Sequence, residues 1–383
     1  MKKTLLFSFA MLLALFFSFP SIAQTESTPH MDYIDRDDVV QFIDEMSEQF
    51  DYDRGLLYAL FHATQPIPAV LKAIRPPAHP GVRSWQTYRS RFVEPTRINV
   101  GKRFMQRYAT ELATAESRFG VPAEIITAII GIETIYGQHM GNYTTFAALA
   151  TLAFDYPPRA ELFRRELVSL LLLAREENRP VLSYTGSYAG AMGWPQFMPS
   201  SMRQYALDFD NDGKVDLTAS PVDAIGSAAN FLAEHGWRKG GPIAEKITVS
   251  GDGIQALIDE GIKPQRLPSE FAARNVQIEK INGKVPEGTQ RAGAGEATAL
   301  QGGRARNALL AVADGDTATN DQFSDQLSDQ PAALIDLITP DAPTEYRLGY
   351  QNFYVITRYN RSSFYAAAVM DLAEALQDAS IGQ

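Results

Sequence analysis

The 383-residue chain contains no cysteine. It can form no disulfide, hold no metal or iron–sulfur cluster through thiolates, and use no thiol nucleophile. Positive charge is also short. There are 35 Lys and Arg against 45 Asp and Glu, a formal net charge of −10. A nucleic-acid partner calls for a basic stripe, so nucleic acid is excluded as a partner. Long hydrophobic runs are scarce too. The longest, LLFSFAMLLALFF at 5–17, falls short of the roughly 20 apolar residues that a membrane span needs. Histidines are few, and His62, His79, His139 and His235 show no metal-ligand spacing, so they read as structural or surface residues. Hydrophobic residues make up 45% of the chain, enough for a packed core and too many for a wholly disordered polymer. At about 150 residues per domain, the length suggests two or three domains.

The apolar run follows Met1, Lys2 and Lys3 and precedes the small-residue pattern Ser21-Ile22-Ala23. A positive start, a short apolar centre and small residues at −3 and −1 predict a secretory signal peptide over 1–23. The competing reading is an uncleaved anchor. Without a cysteine after the cleavage site, lipid attachment there is chemically impossible. The expectation is a soluble, periplasmic protein.

From residue 32 to about 116 apolar residues recur at helical spacing, as in Val39, Phe42, Ile43 and Met46. Helical patterning resumes from Gly120 to about Gly240, joined by loops rich in Gly, Pro and Tyr. The four Leu at 170–173 read as core, and Gly240-Gly241 as a turn. Residues 246–249 give the first strand signal of any quality. The stretch 285–330 shifts to Gly, Ala, Asp, Gln and Thr, a composition expected of a mobile insert. Residues 347–360 (RLGYQNFYVITRYN) read as an aromatic strand-like segment, and a closing helix is expected from Ser362.

The segment VPAEIITAIIGIET at 121–134 is the most informative. Pro122 and Glu124 suit a helix start. Glu133 follows Ile126, Ile129 and Ile130 by seven, four and three residues, so it shares their face. A carboxyl on an apolar stripe loses water, its charged form is disfavoured, and it stays protonated near neutral pH as a general acid must. The alternative is an acid at the end of a core helix, paired with an arginine or exposed. Asp155 and Glu161 are the second acids considered. Neither lies in a catalytic-looking context, and Arg159, Arg164 and Arg165 stand nearby as partners.

A second segment, GSYAGAMGWPQFMPSS at 186–201, carries glycines, hydroxyls, an amide and aromatic rings but no charge. Glycine lets backbone approach a ligand closely, aromatic faces stack on sugar rings, and Ser and Gln can bond hydroxyl or acetamido groups. Together with GIETIYG at 131–137 and NFYVITRYN at 352–360, this segment closely resembles the membrane-bound lytic transglycosylase B family, over roughly 32–245 and 340–383.

The resemblance implies a mainly α (α+β) fold: a lysozyme-like helical core with a helical domain and a small β domain. Mapped onto this chain, it gives a helical domain over 32–116 joined by the closing helix 362–383, a core over 117–240 completed by 341–361, and a β domain over 241–340. It implies cleavage of the β-1,4 bond between N-acetylmuramic acid and N-acetylglucosamine in peptidoglycan, with a 1,6-anhydromuramyl product. Glu133 matches the single acid/base. Ser187, Gln196, Tyr88, Tyr359, Asn360 and Tyr365 match residues of the substrate cleft. Phe231 stands where a further cleft tyrosine is expected, so the ring is kept and a hydroxyl is lost. The expected partners are glycan strands and, through the insert, a wall-synthesis or remodelling complex.

Residues 208–216 (DFDNDGKVD) follow the opening of a calcium loop. Asp208, Asp210 and Asp212 occupy ligand positions 1, 3 and 5, and Lys214 offers a carbonyl at position 7. Position 12 is Ala219 rather than a bidentate Glu, and Asp223 is the candidate replacement. Calcium is thus the expected cofactor, in a structural role, and a metal-free Asp/Gly turn is the alternative. For function, two further readings stand beside the lytic one: a muramidase that uses water, and a non-catalytic wall-binding protein.

Overall fold

A computed structural model describes residues 32–76, 83–281 and 327–377. The predicted signal peptide, most of the predicted insert and the last six residues of the chain lie outside the described residues. Among the described residues, no helix is long and apolar enough to cross a membrane.

One compact unit ends at Gln65 and a second begins at Pro66. In the first, helix α1 (Asp37–Phe50) buries Val39, Phe42, Ile43 and Met46 on one face, as the periodicity predicts. It stops at Asp51, whose left-handed backbone ends the helix. The Asp53 carboxylate then caps helix α2 (Arg54–His62) by accepting the Leu56 N–H at 2.8 Å.

The second unit contains helices α3 (Pro68–Ile74), α4 (Trp85–Phe92), α5 (Pro95–Arg107), α6 (Ala109–Phe119), α7 (Ala123–Thr134), α8 (Thr145–Asp155), α9 (Ala160–Glu176), α10 (Pro199–Tyr205) and α11 (Pro221–Glu234). Helix α7 is almost wholly apolar, and α5, α6 and α11 pack around it. Helices α3–α6 belong with the second unit, and α5 and α6 lie directly against the central helix.

Two short strands, β1 (Tyr143–Thr144) and β2 (Thr185–Gly186), pair antiparallel before the strand that the sequence signals first. That strand is β3 (Ala244–Ser250). With β4 (Gln277–Lys280), β5 (Ala333–Leu337) and β6 (Glu345–Gly349) it forms an antiparallel sheet in the order β4-β3-β6-β5. Helix α12 (Ile254–Asp259) covers it, and Ile247, Leu257, Phe271, Val276, Leu334 and Leu348 form a small separate core. Strand β6 pairs with both β3 and β5, so the β region runs past residue 340 to Gly349.

The expectation of a strand over 347–360 is corrected at this point. Only its first three residues belong to a strand. Residues after Tyr350 form helix α13 (Gln351–Tyr359), which buries Asn352, Phe353, Val355, Ile356 and Thr357. Their β-branched and aromatic composition imitates a strand, but the buried positions follow helical spacing. The closing helix α14 (Ser363–Gln377) is where it was expected, and it lies along α7.

A buried ionic cluster ties α4, the sheet and α14 together. Arg347 is fully buried and reaches Asp371 at 2.8 Å and Glu345 at 2.5 Å. Asp371 also holds Arg89 of α4 at 2.5 Å, and the Trp85 indole N–H donates to Glu345 at 3.1 Å.

Candidate active site

Helix α7 ends immediately after Glu133. Ile135 and Tyr136 follow with positive φ (49° and 54°), a conformation costly for a β-branched side chain. The turn survives because its surroundings hold it. The Thr134 hydroxyl donates to the Trp194 carbonyl at 3.0 Å and accepts the Gly137 N–H. Gly137 leaves room for the Trp194 ring, which a Cβ there would strike. The acid-bearing turn and the 186–201 loop are thus fastened by the residue next to the acid. The Trp194 indole N–H in turn donates to the Thr218 carbonyl, beyond the acidic loop.

Glu133 lines a cavity of about 480 Å³ with Gln196, Phe231, Tyr359 and Asn360. Burial pushes its carboxyl up to about 7. The Tyr365 hydroxyl donates to its Oε1 at 2.6 Å and partly offsets that rise. Tyr365 stacks on Tyr359 (centroids 6.4 Å apart, planes 11°), and the Tyr359 hydroxyl donates to the Pro195 carbonyl. Burial, and after it the charge of Glu133, holds both phenols well above their usual range, so they remain hydrogen-bond donors.

Tyr88 lies on the adjoining side, where the Glu133 charge acts on its hydroxyl. Gln196 has a left-handed backbone and gives its amide N–H groups to the Met140 and Gly193 carbonyls. Phe231 is largely covered: His235 stacks on it at 4.1 Å and Tyr359 meets it at 4.8 Å. It supports Tyr359 more than it offers a face to a sugar. Ser187 is not among the residues lining the cavity, and its hydroxyl accepts the Ala191 N–H within the loop.

The cavity also contains residues that sequence reasoning missed. Glu166 is a second carboxylate in its wall, but both oxygens are engaged. One accepts the Ser200 N–H at 3.0 Å and the other the Ser200 hydroxyl at 2.7 Å. Only the fold brings residue 166 to residue 200, so no local signal marks it. Arg159, Arg358 and Arg361 also reach the wall. Of the acids considered earlier, Glu161 is exposed and paired with Arg165 at 3.0 Å, as expected.

In the acidic loop, carboxylate oxygens of Asp208, Asp210 and Asp212 lie within 4.8 Å of one another. Hard oxygens converging in this way fit calcium. Asp223 is close to this group, and the Asp210 charge acts on its carboxyl. It is buried and accepts the Phe209 and Asp216 N–H groups, both at 2.8 Å, so it closes the loop at its base.

The model of a transglycosylase SLT domain matches residues 35–314 and 292–374. The chain is 35% identical over 356 residues to membrane-bound lytic murein transglycosylase B of Escherichia coli K12, covering 90% of this chain and 84% of that protein. Its structure resembles the soluble lytic transglycosylase SltB1 of Pseudomonas aeruginosa at 38% identity and TM-score 0.73, over 90% of this chain and all of that one. It also resembles E. coli Slt35 in complex with calcium at 34% identity and TM-score 0.67, over 89% and 93% of the two chains. A mostly helical, lysozyme-like fold agrees with these relatives, and the chain belongs to the lytic murein transglycosylases, lyases that cleave peptidoglycan.

Proposed function

We propose that Glu133 is the single acid/base of this lyase and that the residues around it position one muramyl bond for cleavage. The observation that carries the reading is a carboxyl held near pKa 7 and hydrogen-bonded by Tyr365. In the first step protonated Glu133 gives its proton to the glycosidic oxygen, and the bond from C1 to that oxygen breaks. Substrate groups stabilise the positive anomeric carbon. The 6-hydroxyl of the same muramyl residue then attacks C1 and returns its proton to the Glu133 carboxylate. No water is consumed, and the tethered hydroxyl has the effective-molarity advantage of an intramolecular nucleophile. A glycosidase of the two-carboxylate kind needs a free second acid. Glu166, the other carboxylate in the cavity wall, is committed to Ser200. Gln196, Tyr88, Tyr359 and Asn360 contact the glycan in this reading, with Ser187 and Phe231 supporting the walls.

Calcium is the proposed structural ion, held by Asp208, Asp210 and Asp212 with the Lys214 carbonyl, while Asp223 fixes the base of the loop. Three converging carboxylates and the calcium complex of the relative Slt35 support this. When bound, the ion supplies only charge neutralisation and rigidity. The N-terminal leader pattern supports export to the periplasm.

Mass spectrometry of digested peptidoglycan tests the function. The expected products carry 1,6-anhydromuramyl ends and disappear with Glu133→Gln, which keeps the shape but cannot donate an acidic proton. Reducing muramyl ends without anhydro products would replace this reading with a muramidase. Cleavage by the Gln variant at the parental rate would remove Glu133 from the mechanism.

A further inference from the structure

This inference rests on the reading of the cleft as a peptidoglycan site and adds a substrate requirement to it. Beside the catalytic cavity lies a second hollow of about 290 Å³, walled by Arg83, Ser84, Thr87, Tyr88, Arg91 and Ser362. It borders the reaction centre. The charges of both Glu133 and Arg83 act on the Tyr88 hydroxyl. Ser362 accepts the backbone N–H of Tyr365, the residue that holds Glu133.

The charge of this hollow runs against that of the chain. The whole protein carries −10, yet among the described residues no acidic side chain lines the hollow and two arginines do. Four arginines lie on or near α4, and the fold uses only two of them. Arg89 is committed to Asp371. Arg97 is buried and donates to the Gly131 and Arg91 carbonyls. Arg83 and Arg91 are exposed, and neither has an ion-pair partner among the described residues. The acid closest to Arg91 in sequence, Glu94, is occupied in capping α5 through the Thr96 and Arg97 N–H groups. Two unspent guanidinium groups beside hydroxyls form a receptor for a carboxylate.

The sugar hydroxyls and acetamido groups of the glycan are neutral. Its carboxylates belong to the peptide stem, which is amide-linked to the lactyl ether of muramic acid, and to that lactyl group only where the stem has been removed. Muramic acid is also the residue whose C1 is cut, so a stem starts beside Glu133. At about 3.5 Å per extended residue, a few stem residues span the distance from a cavity to its neighbour. We propose that the hollow between Arg83 and Arg91 binds a carboxylate of the peptide stem, making stem-bearing strands the preferred substrate.

The test compares wild type, Arg83→Gln, Arg91→Gln and the double variant on two substrates: stem-bearing strands, and the same strands stripped by an amidase so that only the lactyl carboxylate remains. Wild type is expected to favour stem-bearing strands. The double variant is expected to lose about tenfold in kcat/KM on these, chiefly through KM, because a rim contact binds ground and transition states alike. On stripped strands it is expected to match wild type, which also shows that it folds. Equal losses on both substrates would assign the arginines to a group that the two strands share and overturn the proposal, as would no loss on either. Failure of wild type to cleave stripped and stem-bearing strands alike would instead overturn the function on which it rests.

Discussion

The hydrogen bond from Tyr365 to Glu133 sets the proton affinity of the acid. It stabilises the carboxylate, while burial destabilises it by more. Tyr365→Phe removes the donor and leaves the burial. The alkaline limb of kcat/KM, expected near pH 7 in the wild type, should therefore move upward in that variant, and its maximum should fall. A pH–rate series on purified strands checks both. Stability should carry the same signature. A carboxyl raised from 4.5 to about 7 binds more protons folded than unfolded between those values. Its contribution to stability is thus present below about pH 4.5 and lost as pH rises through 7. Glu133→Gln should gain stability over wild type on going from pH 4 to pH 8, by roughly 3 kcal/mol at most. Denaturant midpoints at the two pH values measure it, and a gain that does not change with pH would contradict the buried proton. Glu133 was legible in the sequence because three isoleucines at helical spacing define its face. Glu166 was not, because its role is fixed by Ser200, and that contact exists only once α9 and α10 have packed.

At the scale of elements, α4 and α14 bring Tyr88 and Tyr365 to the site, and Asp371 joins them. Its carboxylate meets Arg89 from one side and fully buried Arg347 from the other. Burying such a cluster gives little net stability, but removing one partner strands a charge away from water. Asp371→Ala should cost about 3–5 kcal/mol in urea unfolding. Glu161→Ala, which breaks the exposed pair with Arg165, should cost under about 1 kcal/mol. Similar losses from the two would show that the cluster is not insulated from solvent. The same region shows why composition misleads. Residues 347–349 are strand and 351–359 are helix, although Tyr, Val, Ile and Thr run through the helical part. What separates them is the buried set 352, 353, 355, 356 and 357, a helical pattern visible only against the partners it packs on.

Across the whole second unit, the acidic loop and Glu133 are linked by a chain of bonded groups. Leu217 and Thr218, just past the loop, accept the backbone and indole N–H groups of Trp194 at 2.8 and 3.0 Å. The Trp194 carbonyl accepts the hydroxyl of Thr134, the neighbour of Glu133. Loosening the loop therefore loosens the turn that ends α7, where Ile135 and Tyr136 already hold left-handed backbone that only firm surroundings sustain. Calcium bound to the folded loop stabilises by mass action, about 2.7 kcal/mol when the free ion is a hundredfold above its dissociation constant. Chelation with EGTA should lower Tm by several degrees and reduce cleavage in parallel, with readdition of calcium restoring both. Asp210→Asn removes one ligand charge without altering the hydrophobic core, so it should raise the calcium concentration needed for half-maximal recovery. If EGTA lowers Tm while the cleavage rate measured well below that Tm is unchanged, the ion stabilises its own loop alone, and the path through Trp194 and Thr134 carries nothing to the acid.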